Sequence, residues 1–172
     1  MKATIETNQR DIKPNAVQPR KKKILVADDD TALGQMMRRL LADEGYSVQV
    51  AASGMEALEM AKAVRFDLVL LDLTMPDQDG WETFEQLSTQ HPVLPVIVIT
   101  ARPNQLFSAM AAGAGALLEK PLDFEKLFAT LRRLLDEPEG YRLARLLGRS
   151  TDFRYVPPMS PLPHGTTVNR IR

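Results

Sequence analysis

The chain of 172 residues predicts an α/β fold, a doubly wound parallel sheet of five strands with a helix after each. Three observations carry this expectation. Short apolar runs alternate with segments of helical spacing between about residues 22 and 136. Several runs are almost wholly apolar rather than alternating, as expected of parallel strands covered on both faces. Four of them also end in polar chemistry. Ile24-Leu25-Val26-Ala27 runs into Asp28-Asp29-Asp30, and Leu68-Val69-Leu70-Leu71 into Asp72. Val96-Ile97-Val98-Ile99 runs into Thr100-Ala101, and Ala116-Leu117-Leu118-Glu119 into Lys120-Pro121. In an open parallel sheet those C-terminal ends share one edge, where ligands bind.

The elements follow in order. Lys23–Ala27 is the first strand. Thr31 to Glu44 places Leu33, Met36, Met37, Leu40 and Leu41 at helical spacing, and Gly45 is positioned to stop that helix. Tyr46–Ala51 reads as the second strand. Ser53, with Glu56 three residues on, makes a capping-box pattern for a helix that turns Met55, Leu58 and Ala61 toward the core. Phe66–Leu71 is the central strand. A third helix begins near Trp81 and ends before Pro92, and Pro95 precedes the strand Val96–Thr100. A short helix between Pro103 and Ala112 ends at Gly113. Ala116–Glu119 is the fifth strand. Asp123 caps a last helix that buries Leu127, Leu131, Leu134 and Leu135. Met36, Met37, Met55 and Met60 are expected in the core. Trp81 is expected to pack at a helix start rather than to bind a cofactor.

The organisation is then a disordered basic tail over residues 1–21, a domain over 22–136, and an extension over 137–172. The extension has the spacing for a short helix at Glu139–Arg149, with Tyr141, Leu143, Leu146 and Leu147 apolar. The proline-rich segment Val156–Pro163 can be neither helix nor central strand.

Net charge is zero, but it is segregated. Residues 1–23 hold seven Lys/Arg against two acids, residues 24–135 nine against sixteen, and residues 136–172 six against four. An acidic centre with basic ends is a poor footprint for DNA. The run Arg20-Lys21-Lys22-Lys23 reads as a solvated lead-in to the first strand. The absence of cysteine excludes disulfides and thiolate chemistry. No stretch has the roughly 20 apolar residues that span a bilayer, and Met1–Lys23 lacks the apolar core of a secretory signal. A soluble, cytoplasmic protein is expected.

Carboxylates, a hydroxyl and an amine on one sheet edge suit a divalent cation and a phosphoryl group. Phosphoryl transfer asks little of its nucleophile beyond position. The harder problem is repulsion among Asp28, Asp29 and Asp72 and an incoming phosphate. A hard cation such as Mg²⁺ relieves it while keeping several of its own waters, and Lys120 adds a second positive charge.

In combination these motifs resemble the receiver domain of two-component response regulators over roughly residues 22–136. They are the acidic pair after the first strand, Asp72-Leu73-Thr74-Met75-Pro76-Asp77-Gln78-Asp79-Gly80 after the third, Thr100-Ala101 after the fourth and Lys120-Pro121 after the fifth. The resemblance implies a flavodoxin-like (βα)5 sheet of order 2-1-3-4-5. It implies Asp72 as phospho-acceptor. Asp28, Asp29, Asp72 and the backbone carbonyl of Thr74 would be ligands of Mg²⁺ or Mn²⁺. Thr100, with Ala101, and Lys120 would meet the phosphoryl group, and the bond before Pro121 would be cis. Thr74 and Arg102 hold positions that tune phosphate lifetime in that family. The usual aromatic three residues before the lysine is here Leu117. The phosphodonor would be a sensor histidine kinase or a histidine phosphotransfer protein.

The expected function is a phosphorylation-controlled switch without a fused output domain and without direct DNA binding. It would act on a downstream protein through the fourth helix, fifth strand and fifth helix, with Leu106, Phe107, Met110, Leu117 and Arg132 as contact residues. Turnover as a metabolic phosphohydrolase is not expected, because Thr74 stands where that chemistry needs a second acid. Only self-phosphorylation and slow self-dephosphorylation are. A degenerate receiver acting as a phosphorylation-independent scaffold is the alternative.

Overall fold

The computed structural model describes residues 20–76, 79–150 and 152–159. The expected tail over residues 1–21 falls almost wholly outside them, as do Asp77, Gln78 and the end of the proline-rich segment.

Five strand–helix pairs build the domain: β1 (Lys23–Ala27), α1 (Thr31–Asp43), β2 (Ser47–Ala51), α2 (Gly54–Ala63), β3 (Leu68–Asp72), α3 (Gly80–Gln90), β4 (Val96–Thr100), α4 (Leu106–Ala111), β5 (Ala116–Glu119) and α5 (Phe124–Leu135). Local chemistry sets most boundaries. The Asp30 carboxylate accepts from the N–H groups of Ala32 and Leu33 at the start of α1, which satisfies donors that no helical turn can. Ser53 accepts from Glu56 N–H at 3.1 Å, and the Glu56 carboxylate reaches back to Ala52 N–H at 2.7 Å. Asp79 and Asp123 cap α3 and α5 in the same way. Gly45 leaves α1 at φ +92°, in the left-handed region that glycine enters without strain.

All strand pairings are parallel. The sheet departs from the expected five strands. It has six, in the order β2-β1-β3-β4-β5-β6, because the extension contributes α6 (Glu139–Leu146) and then β6 (Arg154–Val156). β6 is only three residues long and is followed at once by Pro157-Pro158, so it carries almost no strand signal. It sits on the sheet edge, where proline nearby is tolerated.

Two apolar layers sandwich the sheet. On one face Leu25, Val69, Leu71, Val98 and Leu117 meet α2, α3 and α4. On the other, Ile24, Leu68, Leu70, Ile97 and Leu118 meet α1 and α5. β3 and β4 are buried along their whole length. Among the expected core methionines Met37 is buried, Met60 partly so, while Met36 and Met55 are exposed. The reason for Met55 is helical phase: α2 buries Gly54, Ala57, Leu58 and Ala61, and Met55 lies off that stripe.

α6 falls where a short helix is expected, but its apolar residues do not form its buried face. Tyr141, Leu143 and Leu147 face outward, whereas Arg142 and Arg145 are buried. Arg142 donates to the Gly113 carbonyl and to Ser88 Oγ, and its guanidinium lies 5.5 Å from the Phe84 ring centroid. Arg145 pairs with Glu137. Burial lowers the pKa of Arg142 to about 10, with Arg145 adding repulsion. Through these contacts α6 bridges α3 and the turn that follows α4.

Gly80 fixes how α3 approaches the end of β3. A Cβ there would stand 2.4 Å from Leu73 Cα and 2.8 Å from the Asp72 carbonyl oxygen. Both neighbours are backbone and cannot yield. Gly80→Ala is therefore expected to destabilise the protein by about 1–3 kcal/mol, the usual range for overpacking; a urea midpoint equal to that of wild type would contradict this contact.

Candidate functional site

The C-terminal ends of β1, β3, β4 and β5 meet on one edge of the sheet and deliver the polar residues the sequence singles out. Asp28 follows β1, and its N–H still pairs with the Ala51 carbonyl of β2. Asp72 is the last residue of β3, and Leu73 N–H pairs with the Ile99 carbonyl. Lys120 follows β5, with its N–H on the Thr100 carbonyl at 2.8 Å. The backbone that carries each functional group is thus tied into the sheet, which keeps their spacing rigid.

Asp28, Asp29 and Asp72 each offer a carboxylate oxygen, and these lie within 4.8 Å of one another. Asp28 and Asp72 are each only 2% exposed, whereas Asp29 faces solvent. Lys120 Nζ donates to Asp72 Oδ2 at 2.6 Å and to Asp28 Oδ2 at 2.9 Å. The remaining oxygens also have partners. Asp28 Oδ1 accepts from Asp30 N–H, and Asp72 Oδ1 accepts from Thr74 N–H at 2.8 Å. Hard, closely spaced oxygen donors fit a divalent cation of the Mg²⁺ type and do not fit a softer metal.

Lys120 has two acidic partners, and its charge state reflects them. Burial alone would lower its pKa, but the hydrogen bonds to Asp72 and Asp28 carry it above the ordinary lysine value. Asp28 shifts the other way in energetic terms. Its burial raises the pKa above the usual carboxylate value, and the share of Lys120 that it receives offsets this only in part. An ionised Asp28 is therefore held in place at a cost to the fold.

Thr100 is fully buried, and its Oγ1 accepts from Arg102 N–H at 2.9 Å. Arg102 extends its guanidinium to Asp79 at 3.3 Å, in an exposed ion pair across the mouth of the site. Such a pair adds little stability, but it lies between the loops after β3 and β4. Trp81 joins the same two regions. Its Nε1 donates to Gln105 Oε1 at 2.9 Å, just before α4, and its ring meets Phe84 edge-on with centroids 5.6 Å apart. The Lys120–Pro121 bond is cis.

The sequence matches the response regulator receiver domain family over residues 24–132. The chain belongs to that family. Curated relatives include the response regulators MprA of Mycobacterium avium and Mycobacterium leprae, each 43% identical over 115 residues. That alignment covers 66% of this chain and 50% of each relative, so the chain spans about half the length of the curated relatives it matches. Among solved structures, a CheY-like receiver domain from Methanospirillum hungatei is 33% identical, with a TM-score of 0.65 over 68% of this chain and 95% of its own. The Vibrio cholerae chemotaxis protein CheY4 is 34% identical, with a TM-score of 0.63 over 67% and 99%. Response regulator TrrA of Thermotoga maritima, solved with Mg²⁺ and BeF, is 28% identical, with a TM-score of 0.62 over 66% and 98%.

As a receiver of a two-component system, the domain is a signalling module; its family binds Mg²⁺ at an acidic pocket and interacts with histidine kinases or phosphotransfer proteins. Among the described residues no helix is long and apolar enough to cross a membrane.

Burial corrects the expected partner surface at Leu117. Phe107 is 82% exposed and Met110 is exposed beside it, but Leu106 is half-buried against the core. Leu117 is fully buried between the sheet and α4, so it cannot touch a partner in this conformation. Arg132 belongs to the opposite layer, where it pairs with Glu44 at the end of α1 at 2.9 Å. The free edge of β5 is taken by β6. Sequence reasoning missed Gln105, which only its contact with Trp81 reveals, and both buried arginines of α6.

A carboxyl whose folded pKa is raised binds protons more readily in the folded than in the unfolded state. Stability then falls as pH rises between the unfolded and folded values. Asp28→Asn is accordingly expected to raise the urea midpoint at pH 7, with the gain shrinking as pH falls into the ordinary carboxylate range. A loss of stability at neutral pH would show that the Lys120 pairing outweighs the burial of Asp28.

Proposed function

We propose that Asp72 accepts a phosphoryl group from a phosphohistidine of a sensor histidine kinase or phosphotransfer protein, and that the domain is thereby switched. The observation that carries this reading is the arrangement of Asp28, Asp29 and Asp72 within 4.8 Å of one another, with Lys120 Nζ bonded to both buried members. In this reading Asp28, Asp29, Asp72 and the Thr74 carbonyl hold Mg²⁺ or Mn²⁺. The cation, when bound, neutralises the carboxylates and the non-bridging phosphoryl oxygens.

The chain's own residues do the rest. Asp72 lies at the rigid end of a wholly buried strand, so one of its oxygens is presented to the donor in a fixed place. That oxygen attacks phosphorus as the bond to the donor nitrogen breaks, and the histidine leaves with the electron pair. Thr74 N–H and Lys120 Nζ hold the Asp72 carboxylate in orientation before the reaction. Lys120 then balances charge on the phosphoryl oxygens as it is transferred. Thr100 holds its hydroxyl at the same edge, between Arg102 N–H and the site. Swinging from acceptor of that N–H to donor toward a phosphoryl oxygen would shift the loop after β4, and with it Gln105 and α4. A small local change with two discrete arrangements is what a switch requires.

Output through protein contact, rather than direct DNA binding, fits the exposed Phe107 and Met110 on α4. The phosphorylation-independent scaffold has no comparable support, because every ionic group the chemistry needs is present and mutually oriented.

The test uses acetyl phosphate with Mg²⁺, read by intact mass, together with Trp81 fluorescence. Wild type is expected to gain one phosphoryl adduct only when Mg²⁺ is present, and Asp72→Ala none. An adduct of equal yield in Asp72→Ala, or none in wild type, would overturn the assignment.

A further inference from the structure

The extension returns to the phosphoryl site. Residues 154–156 pair in parallel with Ala116–Leu118 along the outer edge of β5. The docking has substance on both faces. Val156 is buried in the layer of α1 and α5, and Phe153 packs against the opposite layer. Asp152 pairs with Arg133 of α5 at 2.7 Å. α6, just upstream, packs Leu146 directly on Gly113, where a Cβ would meet three of its atoms at 3.0 Å.

The path beyond β6 is the informative part. Pro157 and Pro158 donate no hydrogen bonds, and Met159 N–H donates to the Pro121 carbonyl at 2.9 Å. Tyr155 stands opposite Leu117 in register and so shares its face of the sheet. Its hydroxyl has its pKa raised by burial and by the neighbouring Glu119 carboxylate. Through Met159 the segment is bonded to Pro121, the chain neighbour of Lys120. Lys120 itself is fastened inward by both Asp28 and Asp72.

We propose that residues 154–159 form a strap whose docking on β5 is thermodynamically linked to occupancy of the Asp72 site. The docked strap favours the arrangement in which Lys120 bridges Asp28 and Asp72. This rests on the phosphorylation reading above. A cation at Asp28 and Asp29 and a phosphoryl group on Asp72 compete with Lys120 for the same oxygens, so Lys120 must give up Asp28. The next residue, Pro121, carries the strap's hydrogen bond, so a shift of the Lys120 main chain is felt at that carbonyl. The strap has the least to lose. It is one three-residue edge strand with a single buried side chain, Val156, and one further hydrogen bond, and short edge segments of this kind open at lower free energy than the core strands. Coupling between two sites is reciprocal. Occupancy loosens the strap, and a weakened strap eases occupancy.

The experiment is hydrogen exchange by mass spectrometry on the full chain, with and without Mg²⁺ and beryllofluoride. Adduct formation is read separately by native mass. Amides of residues 152–159 are expected to exchange several-fold faster in the adduct, with no change in Asp72→Ala. Met159→Pro removes the donor to Pro121 at a position already preceded by two prolines. It is expected to bind beryllofluoride about three- to ten-fold more tightly, the worth of one hydrogen bond. Asp152→Ala, which removes the ion pair with Arg133 at the start of the docked segment, is a second variant expected to act in the same direction. Unchanged or slower strap exchange in a protein that forms the adduct would overturn the linkage and leave the phosphorylation reading standing. Failure of wild type to form any adduct would overturn that reading, and the linkage with it.

Discussion

Three carboxylates are confined to one small volume at the edge of this sheet, and most of the structure can be understood as what holds them there. Two unit charges about 5 Å apart repel by about 3 kcal/mol at an effective dielectric of about 20, and Asp28 and Asp72 are also shut away from water. The chain offsets this with Lys120, whose ammonium bridges the two buried members. The countercharge arrives from the far end of the domain sequence, 48 residues beyond Asp72 and 92 beyond Asp28. It can do so only because β1, β3, β4 and β5 are parallel and in a register that brings their C-terminal ends level. Fold and site are thus one electrostatic problem. The sheet collects the charges, and the pairings at its edge keep them from relaxing apart.

This ordering explains why so much was legible in the sequence. Strands buried on both faces must be apolar throughout, so their polar ends are conspicuous, and Asp28, Asp72, Thr100 and Lys120 are all ends of such runs. Caps are local and readable too: Ser53 with Glu56, and Asp123, bond as their spacing suggests. What escaped was non-local or short. β6 is three residues with prolines behind it, and only the unfilled edge of β5 makes it a strand. Nothing in the spacing of α6 singles out its arginines. They are buried because a carbonyl, a hydroxyl and an aromatic ring on other elements receive one, and Glu137 the other. Leu117 was expected at a partner surface through resemblance to a position, whereas its burial depends on α4 lying over it.

The extension alters the meaning of the domain's outer edge. An unpaired strand edge invites other strands, and β6 removes that invitation on the side where α4 exposes Phe107 and Met110. It also ties α5, through Arg133 and Asp152, to the segment flanking Lys120. Elements far apart in sequence, and outside the family's matched residues 24–132, therefore share contacts with the residues next to the phosphoryl site.

The central claim is that Lys120 serves as the internal countercharge to the carboxylate cluster and competes with a cation for its oxygens. Calorimetric titration of Mg²⁺ into wild type and Lys120→Met, at matched ionic strength, addresses it most directly. The account predicts tighter Mg²⁺ binding once the competing ammonium is removed, with the difference narrowing as salt screens the cluster. Equal or weaker binding in Lys120→Met would contradict it, and would mean that the carboxylates are organised by something other than their shared partner.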